Sequence, residues 1–206
     1  MTDPSVEADA APVVAGVLLA AGESSRFGEA NKLLASLDGR PVVAHAVAPL
    51  VAARVDPVVV VVGFEADRVR AALAEYPVEF VDNPAYADGQ STSVQAGIAA
   101  LDERVDAAVV ALGDMPYVTP ESVRALLDTF EAGAGDVLAA ADNGIRGNPV
   151  LFGRDWFDAL ADVSGDIGGR DLVREHGVLV ETGDPGVRRD VDVPGDLTDP
   201  SDGNPG

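Results

Sequence analysis

Runs of apolar residues alternate with amphipathic segments through the first two-thirds of the chain. A short apolar run without polar interruption is typical of a strand buried on both faces of a sheet. Such runs predict strands at residues 13–20, 58–62, 78–81, 105–112 and 136–140. Helical spacing of apolar positions predicts helices at residues 41–54, 65–76, 91–103 and 120–130. The alternation indicates an α/β fold with a mostly parallel sheet that helices cover on both faces.

The last third of the chain is less regular. It predicts short strands at residues 149–152, 178–181 and 187–191 and short helices at residues 156–161 and 169–176. We interpret these as a few antiparallel additions, which make the sheet mixed. Ligands of such folds lie at the carboxyl ends of the strands. The loops after Ala20, after Leu112 and around Val191 therefore converge on one site if their strands are neighbours.

Length and composition limit the organisation and the compartment. A chain of 206 residues fits one domain, which we place at residues 13–197, between a disordered acidic leader (1–12) and a flexible tail (198–206). The sequence has no cysteine and two histidines, which excludes disulfides and disfavours a zinc centre. No stretch of about 20 apolar residues predicts a membrane span, and the first residues lack the basic group of a secretory signal. We therefore expect a cytoplasmic protein without a membrane partner.

The chain carries a formal net charge of -21, from 35 acidic and 14 basic residues. A surface this acidic repels the phosphate backbone of nucleic acids, so DNA or RNA binding is disfavoured. Self-repulsion at this charge needs screening by salt, which favours a halophilic protein from a hypersaline cytoplasm. An acidic protein from an ordinary cytoplasm is the alternative.

The run LLAAGESSRFGEANKLL at residues 18–34 combines a buried strand, a turn of small residues and two cations. Its spacing matches neither the P-loop pattern G-x-x-x-x-G-K-[ST] nor the dinucleotide pattern G-x-G-x-x-G. Backbone N–H groups around Gly22 can nevertheless form a nest for an anion, which Arg26 and Lys32 would reinforce. The loop therefore favours a polyphosphate ligand. A plain strand-to-helix turn with two solvated cations is the alternative.

Asp114 follows the strand predicted at residues 105–112, after Gly113 and before the turn that Pro116 fixes. A carboxylate at the carboxyl end of a strand is well placed for Mg²⁺, which takes one or two carboxylates together with phosphate oxygens and water. The alternative is an Asp that caps the next helix, although Thr119 is the better cap residue. Asp114 is thus the first candidate metal ligand.

These motifs resemble those of a known family. L-A-A-G-E-S-S-R-F-G-x-x-N-K-L-L is similar to the signature L-A-A-G-x-S-x-R-[MF]-G-x-x-x-K of the MobA-like nucleotidyltransferases, and the resemblance extends from about residue 14 to 197. It is closest to the molybdenum cofactor cytidylyltransferase branch. The resemblance implies a Rossmann-like three-layer sandwich of the nucleotide-diphospho-sugar transferase type. It also implies that Gly22, Arg26 and Lys32 hold a nucleoside triphosphate and that Asp114 is a magnesium ligand.

The segment D-V-D-V-P-G-D-L at residues 190–197 resembles the family's D-x-D-T-P-x-D-L and implies a second metal ligand. Residues two apart on a strand share a face, so Asp190 and Asp192 would lie on the same side. We expect Asp192 to be the ligand and keep Asp190 as the alternative. Val193 stands where the family has Thr, which removes a hydroxyl that would help positioning. An acidic surface strand in an acidic protein is the other alternative.

Residues 83–94 resemble the family's N-P-x-[WY]-x-x-G-x-x-[ST]-S and imply nucleotide contacts by Asn83, Gly89 and Ser93. A turn with a helix cap explains Ser91 alone equally well. The first motif adds four residues to the nucleotide site: Leu19, Ala20, Ala21 and Gly22. The motif L-A-A-G, rather than L-A-G-G, resembles that of the branch that uses CTP. The extra methyl of Ala21 would also exclude a larger purine base. GTP is the alternative.

Two stretches of the last third resemble family segments on the acceptor side. Residues 147–152 are similar to G-[HN]-P-V-L-F, and residues 164–170 are similar to S-G-D-x-G-x-R. They imply that Asn148, Asp166 and Arg170 bind an acceptor that carries a phosphate. An ion pair between Asp166 and Arg170 explains the second stretch equally well.

The resemblance implies Mg²⁺-dependent transfer of CMP, or another nucleoside monophosphate, from a nucleoside triphosphate to a phosphorylated acceptor, with release of pyrophosphate. Arg26, Lys32 and Asp114 would be the catalytic residues. The acceptor implied is molybdopterin or the molybdenum cofactor, and a molybdoenzyme would receive the product. The alternatives are GTP as donor, a sugar or metabolite phosphate as acceptor, and a non-catalytic module that binds nucleotide and delivers a cofactor. We expect a monomer or a small homo-oligomer.

Overall fold

The computed structural model describes residues 11–23, 27, 30–53, 55–162 and 169–197. The strands are β1 (Val14–Ala20), β2 (Ser36–Leu37), β3 (Arg40–Pro41), β4 (Val58–Val62), β5 (Glu79–Asp82), β6 (Ala107–Leu112), β7 (Val137–Asp142), β8 (Ile145–Gly153) and β9 (Val178–Glu181). The helices are α1 (Val42–Ala52), α2 (Ala66–Ala72), α3 (Gln90–Ala99), α4 (Pro120–Glu131), α5 (Phe157–Ala161) and α6 (Arg170–His176).

Seven strands form one mixed sheet in the order β5-β4-β1-β6-β8-β7-β9. All neighbours in it are parallel except β8, which is antiparallel to both β6 and β7. The predicted α/β fold with a mostly parallel mixed sheet is confirmed. The short strands β2 and β3 form a separate antiparallel pair.

Apolar side chains pack on both faces of the sheet. β4 consists of five valines that are all buried, because β-branched residues favour strands and a central strand meets helices on both sides. The first face packs against α1, α2 and α4, for example through Val47 and Leu126. The second face packs against α3, α5 and α6, for example through Val94 and Val173. None of the helices in the described ranges is long and apolar enough to span a bilayer.

β8 begins four residues earlier than the sequence pattern predicts. It pairs with β7 through a two-residue turn, in which Asn143 and Gly144 have φ angles of 52° and 73°. Asn-Gly is a favoured pair for such hairpins because both residues accept positive φ at low cost. The hairpin places Arg146 and Asn148 on β8, beside the carboxyl end of β6.

The strand predicted at residues 187–191 is wrong. Residues 185–188 form a 3₁₀ turn instead, with Pro185 in its first turn. Val187 and Val191 are both fully buried, so the apolar pattern does mark core positions. The segment buries them without joining the sheet, and the backbone N–H of Val191 donates to the carbonyl of Asp114 at 2.8 Å.

Candidate functional site

The carboxyl ends of β1 and β6 meet because the two strands are parallel neighbours, with Leu19 paired to Leu112. Directly after β6, the backbone N–H of Gly113 donates to the carbonyl of Leu19 at 2.9 Å. A Cβ atom on Gly113 would lie only 2.9 Å from that same oxygen. Only glycine allows this close approach, and the turn it permits brings Asp114 to the edge of the sheet.

The C-terminal segment adds two more carboxylates to Asp114. The hydrogen bond from Val191 fixes the segment against Asp114, and Asp196 accepts from the backbone N–H of Asp192 at 2.9 Å. Carboxylate oxygens of Asp114, Asp190 and Asp192 consequently lie within 4.8 Å of one another. Our expectation that the last two share a face of a strand gave the wrong reason for this proximity, because the segment is not a strand.

Lys32 is the cation beside these carboxylates. It opens the 3₁₀ turn Lys32–Leu34, which begins where the side chain of Asn31 accepts from the backbone N–H of Leu33. Its Nζ donates to Asp114 Oδ2 at 2.6 Å and to Asp192 Oδ1 at 3.1 Å. Burial alone would lower the pKa of Lys32, but the charges and hydrogen bonds of Asp114 and Asp192 outweigh burial and raise it. Lys32 is therefore protonated at neutral pH.

The three carboxylates fit a divalent cation. Mg²⁺ and Mn²⁺ prefer oxygen ligands, and the described donor set consists of carboxylate oxygens alone. Asp114 is mostly buried and Asp192 is partly exposed, with 22% and 41% of the side-chain surface accessible. The group thus offers charge on one side and leaves room on the other for phosphate oxygens and water.

A cavity of about 510 Å³ lies over the carboxyl ends of β1 and β6, a size suited to a nucleotide-sized ligand. It brings together nine of the residues singled out in the sequence: Leu19, Ala21, Gly22, Lys32, Gly89, Ser93, Asp114, Arg170 and Asp192. Ala20 is buried beneath the cavity and does not line it. Arg26 and Asp166 lie outside the described residues.

Asn83 holds the loop that forms one wall of this cavity rather than lining it. It is 3% exposed, and its Nδ2 donates to Thr92 Oγ1 at 2.8 Å and to Ser93 Oγ at 3.0 Å. Its Oδ1 accepts from the backbone N–H of Ala85 at 3.0 Å. All hydrogen bonds described for the Asn83 side chain therefore lie inside the loop, while Gly89 and Ser93 face the cavity.

A second cavity of about 200 Å³ adjoins the first and shares Leu19, Gln90, Leu112 and Arg170 with it. Its floor is apolar, and Asn148 and Arg146 stand at its polar side. Arg146 directly precedes the motif at residues 147–152, and the family resemblance assigned it no role. The sequence signal for Arg146 was its position two residues before Asn148, because alternate residues of a strand lie on the same side.

Comparison with known proteins supports the resemblance. The chain matches the family described as MobA-like NTP transferase domain over residues 16–180. It is 32% identical over 193 residues to the nicotine blue oxidoreductase of Paenarthrobacter nicotinovorans, across 88% of this chain and 93% of that protein. It is 40% identical over 131 residues to the bifunctional protein GlmU of Halorhodospira halophila, across 62% of this chain. That match spans 26%, about a quarter, of the GlmU protein.

Solved structures share the fold over most of the chain. The Rv0371c protein of Mycobacterium tuberculosis is 29% identical, with a TM-score of 0.78 over 90% of this chain and 96% of that one. A nucleotidyl transferase from Methanothermobacter thermautotrophicus is 26% identical, with a TM-score of 0.76 over 89% and 94% of the two chains. Rv0371c is also known as a complex with manganese, at a TM-score of 0.72 and 28% identity over 89% and 95% of the chains.

Proposed function

Because the chain belongs to the family of MobA-like NTP transferase domains, we propose that it transfers a nucleotidyl group from a nucleoside triphosphate to a phosphorylated acceptor and releases pyrophosphate. The observation that carries this proposal is the convergence of Asp114, Asp192 and Lys32 on one nucleotide-sized cavity. Carboxylates that can hold a divalent cation and an ammonium that can pair with phosphate are both needed for this chemistry, and both are present.

Asp114, Asp190 and Asp192 would hold the cation, which we propose to be Mg²⁺. A bound Mg²⁺ supplies positive charge to the phosphate oxygens and orients them. Of the two C-terminal carboxylates, Asp192 is the better candidate, because it already lines the cavity and binds Lys32. Asp190 is the more exposed of the two.

The reaction needs alignment and charge neutralisation more than a base. A phosphate monoester loses its second proton at a pKa near 6, so the acceptor oxygen is ionised at neutral pH. That oxygen attacks the α-phosphorus and forms a new P–O bond. The bond from the α-phosphorus to the oxygen bridging to the β-phosphorus breaks, and pyrophosphate leaves with the electron pair. Lys32 and the backbone around Gly22 would stabilise the leaving charge; we assign Arg26 the same role from the motif.

We propose CTP as the donor. Ala21 lines the cavity, and its methyl reduces the room for a purine. Gly89 and Ser93 face the same space and are the candidates for contacts to the base. Asn83 would act through them, as a positioning residue that keeps the loop in shape.

The second cavity is our candidate for the acceptor site, because it shares walls with the first and would bring its ligand next to the α-phosphorus. Val110, Val150 and Phe152 form an apolar floor. Among the described residues, neither Arg146 nor Arg170 forms an ion pair with a carboxylate. No carboxylate of the described residues lines this cavity. These features favour an acceptor with a flat or apolar body and an anionic group.

Within this class we propose molybdopterin, or the molybdenum cofactor, with a molybdoenzyme as the recipient of the product. The motif resemblance supports this choice, and a pterin ring that carries a phosphate group combines a flat body with an anion. A sugar or metabolite phosphate is the competing acceptor.

The direct experiment measures pyrophosphate release with CTP, GTP, ATP and UTP, each with Mg²⁺ and with molybdopterin or a sugar phosphate as acceptor. We expect release with CTP and molybdopterin, and none without Mg²⁺. Pyrophosphate release with the sugar phosphate but not with molybdopterin would identify a sugar phosphate as the acceptor. Nucleotide binding without any pyrophosphate release would indicate a non-catalytic module. Oxidation of NADH or NADPH is followed in parallel, because one relative is named an oxidoreductase.

A further inference from the structure

Lys32 is the only lysine among the 14 basic residues of the chain. Its ammonium is not directed to open solvent, since only 15% of the side chain is exposed. It lies between two carboxylates of the candidate metal site, 2.6 Å from Asp114 Oδ2 and 3.1 Å from Asp192 Oδ1. The cation of the loop therefore takes the place where these two carboxylates converge.

An ammonium and a divalent cation compete for this place. Mg²⁺ binds oxygen ligands at about 2.0–2.1 Å, and one oxygen of each of these two carboxylates already accepts a hydrogen bond from Nζ. Two cations held by the same two carboxylates would also repel each other strongly in a partly buried site. The ammonium and the metal therefore compete for the space between Asp114 and Asp192.

We propose that Lys32 occupies the metal position in the free protein and thereby couples metal binding to triphosphate binding. The ammonium balances the clustered carboxylates while no metal is bound. When metal and triphosphate arrive together, the phosphates offer Lys32 a new anionic partner in the same cavity, and the carboxylates turn to the metal. The exchange of Lys32 for metal stands on the described contacts alone, whereas its coupling to triphosphate rests on the proposed function.

This exchange predicts weak binding of metal alone and stronger binding with nucleotide. If the state in which Lys32 has left the carboxylates is populated about one time in ten, the affinity for metal falls about tenfold. Coupling between two ligands is reciprocal, so CTP raises the affinity for metal by the same factor as metal raises the affinity for CTP.

Titration with Mn²⁺, followed by the electron paramagnetic resonance signal of the free ion, measures the first effect without nucleotide. We expect Lys32→Gln to bind Mn²⁺ about tenfold more tightly than the unmodified protein. Lys32→Arg keeps a cation between the carboxylates and should stay close to the unmodified protein. Circular dichroism and thermal unfolding of both variants without metal establish that they are folded.

Arg170→Gln is the matched control, because Arg170 lines the same cavity but makes no described contact with the three carboxylates. A smaller gain in Mn²⁺ affinity than in Lys32→Gln is expected. Equal gains in the two variants would mean that the overall charge of the cavity sets the affinity, and the proposal would be overturned. No gain in Lys32→Gln would overturn it as well.

A chemical readout follows the amine itself. Reductive methylation can modify only Lys32 and the α-amine of the chain, so mass spectrometry separates them and the α-amine is an internal standard. We expect Mn²⁺ to increase methylation of Lys32 several-fold, and added CTP to protect it again. Unchanged reactivity at saturating Mn²⁺ would show that the ammonium does not leave. Release by Mn²⁺ without protection by CTP would leave the exchange standing and contradict the triphosphate site.

Discussion

Backbone hydrogen bonds, together with the burial of Val187 and Val191, hold the acids of the site in position. The carbonyl of Asp114 accepts from Val191, and the carboxylate of Asp196 accepts from the backbone of Asp192 and Val193. The hydrogen bonds from the backbone of Val193 and Asp192 lower the pKa of Asp196, so it stays ionised when the segment is folded. At this scale, one backbone hydrogen bond joins Asp114 to a distant segment of the chain and brings Asp190 and Asp192 beside it.

Asp114→Asn tests the metal assignment. The change keeps the shape of the side chain and removes the charge that pairs with Lys32 and that we propose binds the cation, so we expect pyrophosphate release to fall about 100-fold or more. Mn²⁺ affinity should fall with it, while thermal unfolding stays cooperative. Asp67→Asn, at an exposed position on α2, is the control and should leave both unchanged. Normal release with an unaltered Mg²⁺ titration in Asp114→Asn would remove Asp114 from the metal site.

Asp184 is a second residue whose charge matters, here for stability. It is 9% exposed, and its Oδ2 accepts from the backbone N–H of Thr119 and from the hydroxyls of Thr119 and Ser122. Burial alone would raise the pKa of Asp184, but these hydrogen bonds, together with one from the backbone of Gly186, outweigh burial and lower it. Thr119 occupies the N-cap position of α4 as expected, but its hydroxyl donates to Asp184 and makes no capping hydrogen bond with the backbone of the helix. Asp184 thereby anchors the C-terminal segment to the start of α4.

Asp184→Asn should therefore destabilise the protein by about 2 kcal/mol at pH 7, measured by urea unfolding. Because the folded pKa lies below the ordinary value, this stabilisation is present at a pH above about 4 and is lost as the pH falls through the folded pKa. The gap between the two proteins should stay constant from pH 7 to about 5 and narrow below about 4. A gap that instead widens on acidification would contradict the ionised state of Asp184.

At the scale of elements, the sequence predicted what apolar periodicity determines. The five valines of β4 and the run that ends at Leu112 are strands because uninterrupted β-branched and small apolar residues permit little else. The wrong strand at residues 187–191 has buried valines at both ends, but it begins in a turn with Pro185. Burial alone did not distinguish a segment that crosses the end of the sheet from one that joins it.

Some features of the candidate site were predictable from the sequence and others were not. The meeting of Gly22 with Asp114 was predictable, since both follow strands of a parallel sheet whose carboxyl ends share one edge. The role of Asn83 inside its loop was not, because it depends on which way one amide side chain turns. The position of Arg146 was not predicted either, because it depends on the Asn143-Gly144 hairpin. The prediction for β8 relied on its apolar residues and did not use this turn signal.

α3 packs against β1 and β4 through Gly97, and this contact is testable. A Cβ atom there would lie 2.4 Å from Val17 Cγ1 and 3.1 Å from Val61 Cγ2. Alanine in a helix is favoured over glycine by about 1 kcal/mol, whereas overpacking a core costs about 1–3 kcal/mol. We expect the overpacking to dominate, so that Gly97→Ala lowers the free energy of unfolding, measured with urea, by about 1–2 kcal/mol.

The double variant Gly97→Ala, Val17→Ala removes the atom nearest to the new methyl. If the clash is the cause, adding Gly97→Ala to Val17→Ala costs nothing or stabilises, because only the gain in helix propensity remains. The same loss in both backgrounds would mean that Gly97 is needed for a reason other than room for α3 on the sheet.

For the whole molecule, charge is the dominant feature. A formal net charge of -21 must be held within one fold. Most ion pairs described on its surface join residues close in sequence, and several lie between exposed side chains, such as Arg124 with Glu121 and Arg174 with Asp171. Such pairs contribute little, so they do not offset the repulsion among the remaining acids. The site depends on this charge too, since Lys32 and Arg170 line the cavity of an otherwise acidic protein.

We therefore predict that the melting temperature rises by about 5 °C or more between 0.1 and 2 M KCl, because the screening length falls from about 10 Å to below 3 Å. Sucrose at equal osmolality controls for general solvent effects and should give a smaller rise. The rise should also shrink when the exposed Glu75, Glu103 and Glu131 are replaced by Lys, since each change adds two units of positive charge.

A melting temperature that KCl does not raise would show that repulsion among the acidic residues does not limit the stability of the fold. The hypersaline interpretation of the composition would then be wrong. If instead KCl and sucrose act equally, exclusion from the surface rather than screening stabilises the fold, and the charge-reversed variant should then respond to KCl as strongly as the unmodified protein.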